Sequence, residues 1–249
     1  MSDNYHKRPE WSYSQLKNIV KHGIDWAMAD KLGMLPKPSG MAIDLGTLIH
    51  QELLGGDKKW VAKAYPDYRT KEAREWRDSV PDDIAILGED EVNTICSVVA
   101  NIKKHPRACQ LLGGDNEIEL YATVNGLPLR GKADNVIRDA GQTIKTITDL
   151  KTTAKFDEFK YTAFRNCYDL QAAVYTMLAA EHTPAYYFVI AETIPPYRVQ
   201  VAYATNDFID KGKEKLDFCL TEVQKYAKRE DQTPNFCLNE ELQLGDWSI

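Results

Sequence analysis

EIELYATVNGLPLRGKADNVIRDAGQTIKTITDLKTT, residues 117–153, is where the chain changes from a helical to a strand-like period. Asn125-Gly126 is a strong two-residue hairpin signal, because both residues tolerate the positive φ that the favoured turns require. EIELYATV (117–124), LPLRGKADNVIRD (127–139) and TIKTITDLKTT (143–153), with a second turn around Gly141, are therefore expected to form a three-stranded antiparallel meander. Counting outward from the turn sets Val124 against Leu127, Glu119 against Lys132 and Glu117 against Asp134. The third strand brings Asp149 to within about one residue of Asp134, its register depending on the length of the second loop.

Helical periodicity lies on either side of the meander. SYSQLKNIVKHGIDWAMADKL (12–32), capped by Ser12 or Ser14, and AIDLGTLIHQELLGG (42–56), ended by Gly55-Gly56, both space their apolar residues as helices do. A short helix is expected from about Thr70 to Asp78, and another over 90–112 that stops near Pro106. After the meander, residues 156–181 read as one long helix, 185–193 and 197–205 as two strands, and 206–230 as a closing helix. This order predicts an α/β fold, a mixed central sheet with an antiparallel meander flanked by helices.

The 249 residues, 43% apolar and 27% charged, suit one domain. Its expected parts are a helical N-terminal part (10–112), a core carrying the chemistry (113–205), and a C-terminal helix and tail (206–249). No apolar run approaches the roughly 20 residues of a membrane span. The N-terminus also lacks the apolar core of a signal peptide, so the expected location is the cytoplasm. Five scattered cysteines, 96, 109, 167, 219 and 237, form no CxxC pair and argue for reduced thiols over disulfides or zinc. A net charge of −6 excludes a uniformly basic coat but leaves room for a local basic patch.

Within the meander, Asp149 and Lys151 are two positions apart and share a strand face. Directly opposed carboxylates such as Glu117 and Asp134 repel unless something positive lies between them. The expected product is a cluster of Glu117, Asp134 and Asp149 with Lys151 alongside. Hard divalent ions such as Mg²⁺ are held by one or two carboxylates, water and phosphate oxygens. Asp149 would bind the metal while Lys151 orients the attacking water and offsets transition-state charge. The plainer alternative is a surface ion pair, since Asp-x-Lys is common. The apolar strand, the preceding Gly131-Lys132-Ala133-Asp134 and the helix that follows favour a site.

Other candidates carry two readings each. His50, four residues after Gly46, is either a half-buried helix histidine or a further metal ligand. Gln171 and Tyr175 share a helix face, as an amphipathic edge or as groups that reach the substrate or the acids beside it. Lys71, Arg74 and Arg77 make a positive stripe, and Lys103, Lys104, His105 and Arg107 a second basic group. Such runs are usually solvated faces, but the interleaved Tyr68 and Trp76 are suited to DNA contact.

Taken in order, these residues resemble the PD-(D/E)xK nuclease superfamily, in its RecB-like branch and its phage and prophage exonuclease VIII (RecE) type. The resemblance runs through Ser12 and Ser14 with Leu16 slightly early, Gly46-x-x-x-His50, Gly131-x-x-Asp134, Asp149-x-Lys151 and Gln171-x-x-x-Tyr175. The segment from Tyr65 through Arg69 to Trp76 is also similar. It spans roughly residues 12–190. The resemblance implies a restriction-endonuclease-like core and metal-dependent exodeoxyribonuclease activity on linear double-stranded DNA, 5′ to 3′, leaving a 3′ single strand for a single-strand annealing protein. Endonuclease activity, or a DNA-end binding or annealing module with a vestigial site, are the alternatives.

By position, the resemblance implies metal ligation by His50, Asp134, Asp149 and the Leu150 carbonyl, with Lys151 as the catalytic lysine and Gln171 and Tyr175 near the DNA. Glu117 corresponds to the acid preceding the Gly-x-x-Asp strand, with Glu119 its rival. Mg²⁺ is the implied ion, Mn²⁺ being able to substitute because a histidine softens the set. Arg69, Lys71, Arg74 and Arg77 are the expected DNA contacts. No iron–sulfur cluster is expected, because Cys219 and Cys237 are isolated. Related exonucleases form rings that thread DNA, so a homo-oligomeric ring is implied.

Overall fold

The computed structural model describes residues 8–36, 44–56, 59–179 and 183–236. The start of the expected second helix before Asp44, the last residues of the expected long helix (180–181) and Cys237 lie outside these residues.

Three strands follow the meander as expected: β4 (Asp115–Val124), β5 (Leu127–Arg138) and β6 (Ile144–Thr153). For chain order, β1 is Trp11–Ser12, β2 Trp60–Ala62 and β3 Ala85–Leu87. Asn125 and Gly126 have φ of 47° and 83°, the paired positive values of a type I′ turn. Val124 faces Leu127 and Glu119 faces Lys132, as counted from the sequence.

β7 (Ala185–Glu192) runs parallel to β6, and β8 (Val199–Tyr203) antiparallel to β7. The main sheet is therefore mixed. β4 pairs along most of one edge of β5. The other edge is shared: β1 takes Leu129 and Arg130, while β6 pairs from Asn135 to Arg138. Between these two partners β5 leaves a short open stretch, and β5 and β6 fork there.

The helices are α1 (Tyr13–His22), α2 (Ile24–Lys31), α3 (Leu45–Leu54), α4 (Lys71–Ser79), α5 (Glu89–Lys104), α6 (Pro106–Leu111), α7 (Phe159–Arg165), α8 (Tyr168–Leu178) and α9 (Asn206–Ala227). Ser12 caps α1 in a capping box with Gln15. Leu16 and Ile19 of α1, Leu170 and Val174 of α8 and Leu216 of α9 bury one sheet face together with Ile147 and Phe188. Leu48 and Ile49 of α3, with Ile95 and Val98 of α5, bury the other around Leu150 and Val189. A sheet between two helical layers is the expected fold class.

Three expected helices are each divided. Gly23, at φ 84°, separates α1 from α2. His105 caps a new helix whose first residue is Pro106, so the proline starts α6 as well as ending α5. The single helix read over 156–181 is a 3₁₀ turn (Phe156–Glu158), α7 and α8, with Cys167 left-handed at φ 54° between the last two. The small β2–β3 pair and the two-residue β1 were not expected. Among the described residues no helix is long and apolar enough to cross a membrane.

Candidate active site

The register of β5 on β6, extended one step beyond the last pair Asn135↔Thr148, sets Asp134 opposite Asp149 at the mouth of the fork. Leu129, Ala133 and Val136 all belong to one core cluster. Strand alternation therefore slips by one residue between 133 and 136, the stretch that contains Asp134. The neighbouring β4 residue is irregular as well. Ile118↔Ala133 and Asn116↔Asn135 are paired, but Glu117 between them adopts φ 59° and leaves the ladder. Such local departures re-aim side chains beside functional sites.

The Glu117 expectation is corrected accordingly. It lies across from Asp134 in register, yet its carboxylate forms an ion pair with Lys132. The cluster of three acids is replaced by two, Asp134 and Asp149. Glu119 accepts from the Tyr121 hydroxyl at 2.5 Å.

Asp149 is 7% exposed and held from two sides. Gln171 Nε2 of α8 donates to Oδ1 at 2.5 Å, and Lys151 Nζ lies 2.6 Å from Oδ2. Oδ2 is taken by this ion pair and has no second donor among the described residues. Lys151 also sits 4.6 Å from the Tyr168 ring centroid. Burial works against its charge, but Asp149, Tyr168 and Asp134 outweigh that and raise its pKa above the ordinary lysine value. Lys151 is thus an ammonium, suited to binding anionic oxygen and unsuited to accepting a proton.

Asp134 Oδ2 accepts the Leu150 backbone N–H at 2.8 Å. Burial first, then repulsion from Asp149, pushes its carboxyl up to about 7. His50 Nδ1 approaches Asp134 Oδ2 at 3.7 Å from the opposite sheet face. Burial lowers the pKa of His50 despite Asp149, and a hydrogen bond with the Leu150 backbone raises it less. The fork is what lets groups from both faces meet.

Two glycines make these approaches possible. A Cβ on Gly46 would lie 2.6 Å from Thr152 Oγ1, so only glycine lets α3 carry His50 this close to β6. A Cβ on Gly131 would lie 2.8 Å from Leu178 Cδ1 and 3.1 Å from Tyr175 Cζ, so glycine seats α8 on β5. The Tyr175 hydroxyl donates to the Lys132 carbonyl at 3.1 Å and receives its N–H at 3.3 Å. Gln171 and Tyr175 are both buried. The structure thus joins Gln171 to the acids and ties Tyr175 to β5, and neither side chain lies on the open surface expected of a DNA contact.

A cleft of about 330 Å³ opens beside these groups, lined by Asp44, Gly46, Thr47, His50, Leu150, Lys151 and Thr152. Sequence reading missed Asp44, Thr47, Thr152 and Tyr168. Asp44 caps α3 through Thr47 N–H, and an acid just before Gly-x-x-x-His was its signal. Tyr168 stands three residues before Gln171, hence on its helix face. A larger cleft of about 520 Å³ lies at Asp25 and Arg229, whose charges already pair at 2.6 Å, and contains none of the site residues.

The donor chemistry fits a hard divalent cation. Two carboxylates and a neutral imidazole come together here, and burial and Asp149 disfavour the ionised form of Asp134, which a bound cation would relieve. Among the described residues no three His, Cys, Asp or Glu side chains converge closely enough to enclose an ion. A cation held by one or two carboxylates with water and substrate oxygens does not need such a trio.

On α4 the expected positive stripe is largely neutralised. Lys71 pairs with Glu75 at 3.6 Å, Arg77 with Asp78 at 2.7 Å and, just before the helix, Arg69 with Asp67 at 3.6 Å. Tyr68 already packs against Lys63 and Arg77, at 4.9 and 5.4 Å from its ring centroid.

Residues 12–242 match the family described as a PDDEXK-like domain of unknown function, DUF3799. The chain belongs to that family. No curated protein matches it. The crystal structure of a "Putative exonuclease" from Eubacterium rectale aligns with this PDDEXK-like chain at a TM-score of 0.63 and 12% identity, over 99% of this chain and 97% of that one. At that identity the likeness concerns the fold. The structure of the protein SSO0001 aligns at a TM-score of 0.31 and 11% identity, over 68% of this chain and 84% of that one, and carries no argument. Membership and fold agree with the PD-(D/E)xK superfamily read from the motifs.

Proposed function

We propose that this PDDEXK-like chain is a divalent-metal-dependent exodeoxyribonuclease of the exonuclease VIII type. In this reading it is a single nuclease domain that degrades linear double-stranded DNA from its ends, 5′ to 3′, and leaves a 3′ single strand for an annealing protein in phage-type recombination. It acts in the bacterial cytoplasm as a homo-oligomeric ring, with Mg²⁺ as its ion and Mn²⁺ able to substitute. The observation that carries the reading is the fork: Asp134 and Asp149 face each other there, with Lys151 ion-paired to Asp149 and Gln171 hydrogen-bonded to it.

Asp134, Asp149, the Leu150 carbonyl and His50 would hold the metal, which when bound polarises a phosphate and makes water a nucleophile near neutral pH. Gln171 fixes the Asp149 carboxylate through one oxygen and leaves the other to Lys151. The Lys151 ammonium offsets charge that develops on the phosphate oxygens. Tyr168 backs Lys151, and Gly46 sets His50 in place.

Purified protein with Mg²⁺ and matched linear and circular duplexes tests the activity. Linear DNA should disappear while circles persist. Equal digestion of circles would replace the exonuclease reading by an endonuclease of the same superfamily, and release of label first from 3′ ends would reverse the polarity.

A further inference from the structure

We infer that the outer face of α7 is a stacking platform for single-stranded DNA beside the active site. Tyr161 and Phe164, 72% and 74% exposed, are the two most exposed large apolar side chains among the described residues. They are three residues apart on a helix whose other side is buried through Phe159 and Ala163, so both project from one face. Lys160 and Arg165, both exposed, flank them. Two rings and two cations share this surface.

The charge on this face is not cancelled as it is on α4. α7 itself contains no acid. The acids that border it are engaged elsewhere: Asp157 with Arg198 at 2.8 Å, Glu158 with Lys155 at 3.4 Å, and Asp169 with Lys215 at 2.6 Å. Lys215 Nζ also lies 5.2 Å from the Phe164 ring centroid, adding a third cation to the patch. Exposed rings beside Lys160 and Arg165, which have no acidic partner among the described residues, suit a partner with accessible π-faces and a phosphate backbone. A protein-docking core, by contrast, is depleted of lysine.

Position points to the same partner. Phe159 of α7 packs against Tyr168 at 5.9 Å between centroids, and Tyr168 lies under Lys151. Bases paired within a duplex cannot reach rings on a convex helix, whereas an unpaired strand can lay bases on them. Digestion of one strand, the reading above on which this placement rests, supplies such a strand beside Lys151.

Fluorescence anisotropy with a labelled oligonucleotide of about 15 nucleotides, in EDTA so that no cleavage occurs, tests the platform. The double variant Tyr161→Ala/Phe164→Ala should bind the single strand about tenfold or more weakly, with an unchanged salt slope, while blunt duplex affinity moves less than about twofold. Lys160→Gln/Arg165→Gln should instead flatten the single-strand salt slope by about 1.4. Because all four side chains are exposed, the thermal transition should not move. Wild-type single-strand affinity in the ring variant overturns the inference, as does a change in self-association with no change in DNA binding. Since binding is read without metal, failure of cleavage by the wild type would remove the nuclease reading without deciding this one.

Discussion

Gln171 and Asp149, from α8 and β6, are joined by a hydrogen bond of 2.5 Å that fixes one carboxylate oxygen and leaves the other to Lys151. Loss of Lys151 or Asp149 removes a group assigned to the reacting phosphate or to the metal, whereas loss of Gln171 only frees the support of Asp149. Lys151→Ala and Asp149→Ala should reduce cleavage by about 10³-fold or more, near background, while duplex binding survives. Gln171→Ala should cost about 10- to 100-fold. Single-turnover rates beside anisotropy check this, and near-normal cleavage by both Lys151→Ala and Asp149→Ala would reject the site.

Asp134 gives the metal-free protein a signed pH dependence. Its folded pKa of about 7 exceeds the ordinary 3.8, so the folded state keeps a proton that the unfolded state has lost between these values. Stability from this group is complete below about pH 4 and declines as pH rises through about 7. In EDTA the melting temperature should fall on the order of 5 °C between pH 5 and 8, and Asp134→Asn should flatten that fall. His50, whose pKa is lowered, acts with opposite sign as pH drops through its range, so the difference between wild type and Asp134→Asn is the quantity to read. Mg²⁺ should raise the melting temperature more at pH 8 than at pH 5. An identical slope in both proteins would mean that the carboxylate is not strained by burial.

The hairpin was legible because Asn125-Gly126 has few other uses, and the count from it reached Glu119↔Lys132 correctly. The same count failed in effect at Glu117, since a left-handed non-glycine residue carries no mark in composition or period. Cys167 hid the break between α7 and α8 for the same reason. The spacing of Asp149 and Lys151 fixed their common face, yet the meeting of His50 with Asp134 depends on β5 and β6 forking, which involves strands far apart in sequence. The α4 stripe is weaker than the spacing of Lys71, Arg74 and Arg77 suggests, because Glu75 and Asp78 lie between and beside them and pair with two of the three.

Glycine spacing in the motifs has a packing basis that substitution can expose. A Cβ on Gly131 meets the Leu178 and Tyr175 side chains, which can give way, whereas one on Gly212 of α9 would lie 2.0 Å from the Asp169 carbonyl oxygen of α8. Gly131→Ala should destabilise by about 1–3 kcal/mol and Gly212→Ala by more than that. Denaturant midpoints check the order. Equal and small losses would mean that α8 and α9 shift readily.

On α4, Arg74 is exposed and, unlike Arg69, Lys71 and Arg77, has no acidic partner among the described contacts. If this helix touches duplex DNA, the free guanidinium releases counterions at no internal cost, while its neighbours must first leave Asp67, Glu75 and Asp78. Arg74→Ala should therefore flatten the salt dependence of duplex binding by about 0.9, and Lys71→Ala and Arg77→Ala by distinctly less. Glu75→Gln should strengthen binding by releasing Lys71. Measured by anisotropy over a salt series without divalent metal, equal effects from all three basic residues would show that the ion pairs open freely. No effect from any of them would remove α4 from the DNA surface and leave the α7 face to be tested.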